Sequence, residues 1–309
     1  MHVFLTGGTG FVGGYVLREL IRHGHTARCL VRSPDARLSE GGAPVERVVG
    51  DVTDAASLDD ALDGCDAAIH LVGIIDEEPD RGVTFEAIHV EGTIHVARAA
   101  QAAGVDRFIH LSANGAAPDG VSAYQTTKWR AEQYIRDAGF DHWTIIRPSI
   151  VFGDPGDRPE FASRLARTLV RPFPVLPVFG DGTYQLQPID VDAVATACVQ
   201  ALDRDAVHTQ TYCAAGHESL AYTTVLNYIT QALGQPLKPK LFMPLWFARP
   251  FVHVLSRLGL VPISIDQLDM LVAGNVCDPT AFYRDFDVSP TPFLPRNLTY
   301  LRKQRAASV

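Results

Sequence analysis

Hydrophobic and polar positions follow two periods along the first half of the chain. Short apolar runs occur at His2–Thr6, Ala27–Val31, Glu46–Val49, Ala67–Val72, Arg107–Leu111 and Thr144–Arg147. They are nearly continuous rather than alternating, as expected of strands buried on both faces. Between them apolar residues recur at helical spacing, as in Val12, Val16 and Leu20, or Ile88, Val96 and Ala100. This alternation predicts the α/β class: a doubly wound parallel sheet, covered on both faces and joined by right-handed crossovers.

The texture changes after Phe152. Residues 153–184 are rich in Pro and Gly and hold one helical stretch near Phe161–Val170. Ile189–Leu202 reads as a helix and Thr209–Ala214 as a further strand. Beyond Ser219 the pattern predicts helices over Tyr222–Leu233, Leu245–Leu258 and Ile265–Ala273. Residues 1–152 with 185–216 are therefore assigned to a nucleotide-binding sheet domain. Residues 153–184 with 217–309 are assigned to a smaller substrate or partner lobe, expected over the open end of the sheet, where such folds bind ligands. No internal repeat or low-complexity tract interrupts the chain.

The phosphate loop is the strongest local signal. Thr6-Gly7-Gly8-Thr9-Gly10-Phe11-Val12-Gly13 follows the first strand and opens an amphipathic helix. Glycine there permits a tight turn, backbone approach to a pyrophosphate, and close helix–strand packing. The helix beginning at Phe11 points its free N–H groups at the phosphates. This context makes the sheet a Rossmann fold rather than a scaffold with a flexible turn.

The second strand ends in Arg32-Ser33-Pro34, where a NAD-preferring site would offer an acid for the ribose 2′-hydroxyl. Arg32, with Arg28 and Arg37 near it, suits a 2′-phosphate instead. NADP(H) is expected in preference to NAD(H). The alternative leaves Arg32 in solvent and gives the ribose to Asp35. Asp51 and Val52 follow the third strand and suit the adenine amino group and ring; the competing role for Asp51 is capping near Thr53.

Ser112 ends the fifth strand, and Tyr124 and Lys128 lie four residues apart at the start of a helix, on one face of it. Lys128 is expected near the Tyr124 hydroxyl and the cofactor ribose, its charge favouring phenolate. Tyr124 would then serve as acid–base and Ser112 would hold a substrate oxygen.

With these residues in view, the chain resembles the extended or atypical branch of the short-chain dehydrogenase/reductase superfamily. The resemblance rests on Thr6–Gly13, Asp51-Val52, Ser112, Tyr124 with Lys128, and Arg147-Pro148-Ser149-Ile150-Val151-Phe152-Gly153. Phe179–Gly182, Gln187–Asp192 and Pro290–Phe293 extend it over nearly the whole chain. Through Phe85–Thr93 it is most similar to bacterial relatives of the nucleotide-binding accessory subunit of respiratory complex I. The resemblance implies hydride transfer at a carbonyl or alcohol carbon through Ser112, Tyr124 and Lys128. It places Leu71, Val72, Gly73 and Pro148 beside the cofactor, with Ile74 and Ile75 making a greasy nicotinamide pocket. His89 stands where extended members usually carry Asn. The resemblance also implies two alternatives: a nucleotide-sugar epimerase or dehydratase, and an assembly or regulatory subunit that holds NADP(H) without turnover.

Composition and charge narrow the rest. The 309-residue chain is 47% hydrophobic and 20% charged, ordinary for a globular protein. Its net charge of −8 argues against general nucleic-acid binding. Five scattered cysteines without a C-x-x-C pair read as free buried thiols in a reducing compartment. The histidines show no metal spacing, so no metal site is expected. No signal-like start and no run of ~20 apolar residues is present, which points to the cytoplasm. Residues 241–263 are amphipathic, with Trp246 and Phe247 among their apolar members. They read as a helix on the second lobe, or as a surface for the inner membrane or a respiratory complex. Arg147, Arg158 and Arg171 are candidates for an anionic substrate, though each could equally be a surface or ion-pair residue. Substrate identity is not legible, and homo-oligomer formation through helices on the sheet's faces stays open.

Overall fold

The near-continuous apolar runs become strands of one sheet because each is screened from water on both sides. A computed structural model describes residues 1–39, 45–250 and 264–303. The strands are β1 (His2–Thr6), β2 (Thr26–Val31), β3 (Glu46–Val49), β4 (Ala67–His70), β5 (Arg107–Leu111) and β6 (His142–Pro148). With Gln210–Ala214 they form a seven-stranded sheet in the order Gln210–Ala214, β6, β5, β4, β1, β2, β3. Every pairing is parallel. The order reverses direction at β1, the switch point where doubly wound sheets open a ligand crevice at their carboxyl ends.

Helices α1 (Phe11–Arg22), α2 (Gly92–Ala102) and α3 (Ala123–Asp137) cross between these strands. One core cluster joins Phe4, Leu30, Ala68 and Phe108 of the strands to Val96, Ala97 and Ala100 of α2 and Ile135 of α3. A π-helical turn, Glu86–Glu91, leads directly into α2.

The chain forms two compact units. The first comprises 1–148, 192–214 and 279–289; the second comprises 149–191, 215–278 and 290–309. The pattern of the chain puts 149–152, 185–191 and 215–216 with the sheet and 279–289 with the second lobe. Arg204 and Tyr212 bind 279–289 to the first unit: Arg204 donates to the Asp285 carbonyl, and the Tyr212 hydroxyl to the Asp285 carboxylate.

The second unit has its own core. Phe152, Ala162, Ala166 and Val170 meet Tyr222, Val225, Leu226 and Ile229 of the helix Tyr222–Ala232, with Leu298 and Leu301 near the end of the chain. The expected helix Phe161–Val170 is present, its second half wound as a π turn. Ile189–Leu202 divides into a two-residue strand, Ile189–Asp190, and a helix, Val191–Gln200, because an apolar run carries no mark of where one ends.

In the amphipathic stretch 241–263, Lys240–Met243 is a strand paired with Leu176–Phe179 and residues 245–250 are helical. The expected helix over Leu245–Leu258 is thus described only to 250, and 251–263 lie outside the described residues. No helix among the described residues is long and apolar enough to cross a membrane. Cys29, Cys65 and Cys198 are buried free thiols. Cys213 and Cys277 are disulfide-bonded rather than free, which their scattered spacing did not indicate.

Candidate active site

The glycine turn is built as its residues require. Gly7 adopts φ +78°, open to glycine at little cost, and its carbonyl accepts from the Gly10 amide at 2.9 Å. A Cβ on Gly13 would lie 2.0 Å from the Gly7 carbonyl oxygen, so the helix packs on the turn only without a side chain there. At the N-terminus of α1, Gly10 supplies no side-chain cap, and the first turn holds no acid. Four backbone N–H groups at a helix start need partners. Neither a cap at Gly10 nor an acid in the first turn competes with an anion for them, and the cradle fits a dinucleotide pyrophosphate. Thr6 and Gly8 are buried, Gly7, Phe11 and Val12 are half-buried, and Thr9 and Gly10 are exposed.

Around this turn the other expected cofactor residues divide. Arg32 is exposed and has no ion-pair partner among the described residues. Arg28 is already committed: it pairs with Glu46 at 2.9 Å and donates to the carbonyls of Ala61 and Asp63. Asp51 Oδ1 accepts from the amide and hydroxyl of Thr53, the turn-making alternative to an adenine contact. Val52 is buried against Gly92, whose missing side chain makes room for it. Leu71 and Val72 are half-buried and Gly73 is exposed at the end of β4, while Pro148 is buried at the end of β6.

Lys128 is buried beneath the strand ends. Its ammonium donates to the Leu111 carbonyl at 3.2 Å and the Val72 carbonyl at 3.5 Å. A Cβ on Gly73 would come within 2.9 Å of that nitrogen. Burial brings Lys128 down to about 8 and pushes Tyr124 up to about 12. The expectation that the Lys128 charge favours phenolate is therefore not met. The ammonium is turned to backbone carbonyls, and desolvation of the phenol outweighs any help from it. Ser112, the residue after Leu111, is buried, and its hydroxyl oxygen has no hydrogen-bond partner. Such an orphan is uncommon in a folded interior and fits a place reserved for a ligand.

A buried chain of hydrogen bonds underlies the site, and neither motif nor spacing announced it. The Thr127 hydroxyl donates to the Ala123 carbonyl at 2.7 Å and lies 3.0 Å from His89 Nδ1. His89 Nε2 lies 3.1 Å from both the amide and the carbonyl of Ile74, so either tautomer of the ring ties down the segment after β4. The Thr93 hydroxyl donates to the His89 carbonyl and accepts from His70 Nε2, while His70 Nδ1 accepts from Thr6 at 2.7 Å. For His70 the tautomer follows from the two hydroxyls it meets. Both rings are neutral: burial, with the nearby Lys128 charge, holds His70 down to about 3 and His89 down to about 2. His89 and Phe85 also meet the Tyr124 ring edge-on, with centroids 5.3 and 5.8 Å away. His89 thus pins both the segment after β4 and the Tyr124 ring.

Arg147 is excluded as a free substrate ligand. It pairs through two nitrogens with the fully buried carboxylate of Glu132, which also accepts from Arg136. Among the described residues no cluster of three or more His, Cys, Asp or Glu could hold a metal.

A glycine turn at a sheet switch point, with Ser, Tyr and Lys at neighbouring strand and helix ends, defines a dinucleotide-binding Rossmann protein of the extended short-chain dehydrogenase type. The chain belongs to the NAD dependent epimerase/dehydratase family, whose profile matches residues 3–215. One relative, the mitochondrial 40 kDa subunit of NADH-ubiquinone oxidoreductase of Neurospora crassa, is 26% identical over 306 residues, 97% of this chain and 78% of its own. A putative dihydroflavonol 4-reductase of Synechocystis is 30% identical, over 86% of this chain and 84% of its own. Among solved structures, MoeE5 in complex with UDP-glucuronic acid and NAD superposes with a TM-score of 0.76 over 98% of both chains at 19% identity, a likeness of fold.

Proposed function

We propose that this chain is an NADP(H)-dependent oxidoreductase acting on a carbonyl or alcohol group. The observation that carries the reading is the partnerless Ser112 hydroxyl. It ends β5 immediately after the carbonyl that holds Lys128, in the unit that carries the uncapped glycine turn. The turn, Val52 and Lys128 would hold the dinucleotide, and its nicotinamide, when bound, supplies or accepts a hydride. Ser112 orients the substrate oxygen. Tyr124 stays protonated at neutral pH and so is set to donate to that oxygen. Lys128 holds its charge up to about pH 8 and fixes the ends of β4 and β5. Arg32, with no committed partner, favours the 2′-phosphate of NADP(H).

A second reading is favoured by the 97% coverage of this chain in its match to the 40 kDa subunit. In it the chain holds the nucleotide as an assembly or regulatory subunit, in contact with a respiratory complex. One experiment separates the two. NADPH binding and oxidation are measured against a panel of aldehydes, ketones and quinones, for the native chain and for Tyr124→Phe. The oxidoreductase reading expects turnover that drops at least ~100-fold in the variant, with NADPH affinity within about twofold. Tight NADPH binding with no turnover on any carbonyl would sink that reading and support the subunit one.

A further inference from the structure

The chain carries a net charge of −8, so a concentration of cations in one hollow is not a general feature of its surface. The second unit nonetheless contains a cleft of about 550 Å³ into which Arg158, Arg164, Arg167, Arg171 and Lys303 all converge. Arg171 ties the two walls together by donating to the Leu301 carbonyl at 2.6 Å. Arg167 and Lys303 are exposed and have no ion-pair partner among the described residues.

Three acids also line the cleft. Glu160 is buried with both oxygens engaged by the amides of Ala162 and Ser163 and the Ser163 hydroxyl. Asp154 accepts from the Gly156 amide. Asp157 is the third. The cations outnumber the acids five to three. Tyr300 supplies an independent observation. It is 7% exposed, its hydroxyl meets no strict hydrogen-bond geometry, and its nearest polar neighbours are the Glu160 carboxylate and the Gly153 backbone. Burial, with Glu160 nearby, pushes that hydroxyl up, so it stays protonated beside the cleft.

We propose that this cleft is a binding site for a phosphate-bearing small molecule, clamped by Arg167 and Lys303 and receiving a hydrogen bond from Tyr300. Guanidinium forks match phosphate oxygens two at a time, and a hydroxyl donor at the floor serves an acceptor-only ligand. The volume lies within the range of sites for small ligands. A solvated surface would leave its cations apart; here five of the chain's 27 share one hollow. This site stands in the second unit and does not depend on the oxidoreductase reading.

The test uses inorganic pyrophosphate, titrated calorimetrically into the full chain with and without saturating NADPH, which occupies the glycine turn. The expected result is binding that persists with NADPH and weakens at least tenfold in Arg167→Gln/Lys303→Gln. Both side chains are exposed, so the fold should survive, as circular dichroism would check. Tyr300→Phe should weaken binding severalfold. A parallel arm presents vesicles containing phosphatidic acid. Retention there that the double variant loses, with no response to pyrophosphate, assigns the phosphate to a lipid headgroup. The proposal is overturned if neither probe binds, or if the double variant binds both as well as the native chain. If NADPH itself does not bind, the cofactor reading fails while the same comparison without NADPH still decides this one.

Discussion

At the scale of single residues, what separates a candidate from a bystander is whether its charge is already spent. Arg28, Arg32, Arg37 and Arg147 all sit near the ends of strands in the sequence. In the structure Arg28 belongs to Glu46 and Arg147 to Glu132. Arg32 keeps its fork free among the described residues. Replacing Arg32 by Ala should therefore raise the Kd for NADPH about tenfold, roughly one charge-assisted hydrogen bond, and leave NADH unchanged. Equal weakening of both cofactors, read by fluorescence titration, would show that Arg32 serves the fold and not the 2′-phosphate. Residue-level reading of the sequence located the glycine turn and Ser112, Tyr124 and Lys128 because each belongs to a local pattern. It missed Thr93 and Thr127, whose ring partners His70 and His89 lie 23 and 38 residues away, and Tyr300, which lines a cleft with residues some 130 positions earlier.

At the scale of elements, strands were legible because burial on both faces writes a continuous apolar run. The limits of those runs were less so. Ala67–Val72 leaves the ladder after His70, and the Val72 carbonyl turns to Lys128. Polar residues within strands carry a further consequence. His70 of β4 and His110 of β5 are register partners whose rings stack at 5.5 Å, both buried. Neither ring nitrogen of His110 has a partner, and burial holds that ring well below the usual imidazole range. In the unfolded chain these histidines protonate near 6.5; folded, His70 and His89 do so only near 3 and 2. The unfolded state thus binds more protons between those values. The stability they confer is complete above about pH 6.5 and is lost as pH falls, by about 2 kcal/mol each at pH 5. Thermal melting should drop between pH 8 and pH 5. His110→Phe, which also removes two unsatisfied nitrogens, should flatten that slope. A variant as acid-sensitive as the native chain would mean that His110 titrates normally.

The first unit, at the scale of the whole molecule, is drawn from three stretches of chain. Its sheet edge Gln210–Ala214 is clasped by the segment 279–289, through Tyr212 to Asp285 and Arg204 to Asp287. Phe282 and Phe286 are buried there, with Phe286 edge-on to Tyr212 at 5.0 Å. Phe282→Ala should cost about 3 kcal/mol, seen as a melting temperature lower by at least ~5 °C. A drop under about 1 °C would show that this clasp is dispensable. The pattern of the sequence had placed 279–289 in the other lobe, since nothing in a short helix reports which sheet it will cover.

That arrangement has a temporal side. A ribosome emits the chain from its N-terminus, and β1 to β6 emerge long before residue 279 does. The sheet can stack early, but its outermost strand stays without its cover until roughly nine-tenths of the polypeptide has been made. During that interval Tyr212 waits without the aromatic cover that Phe286 later gives it.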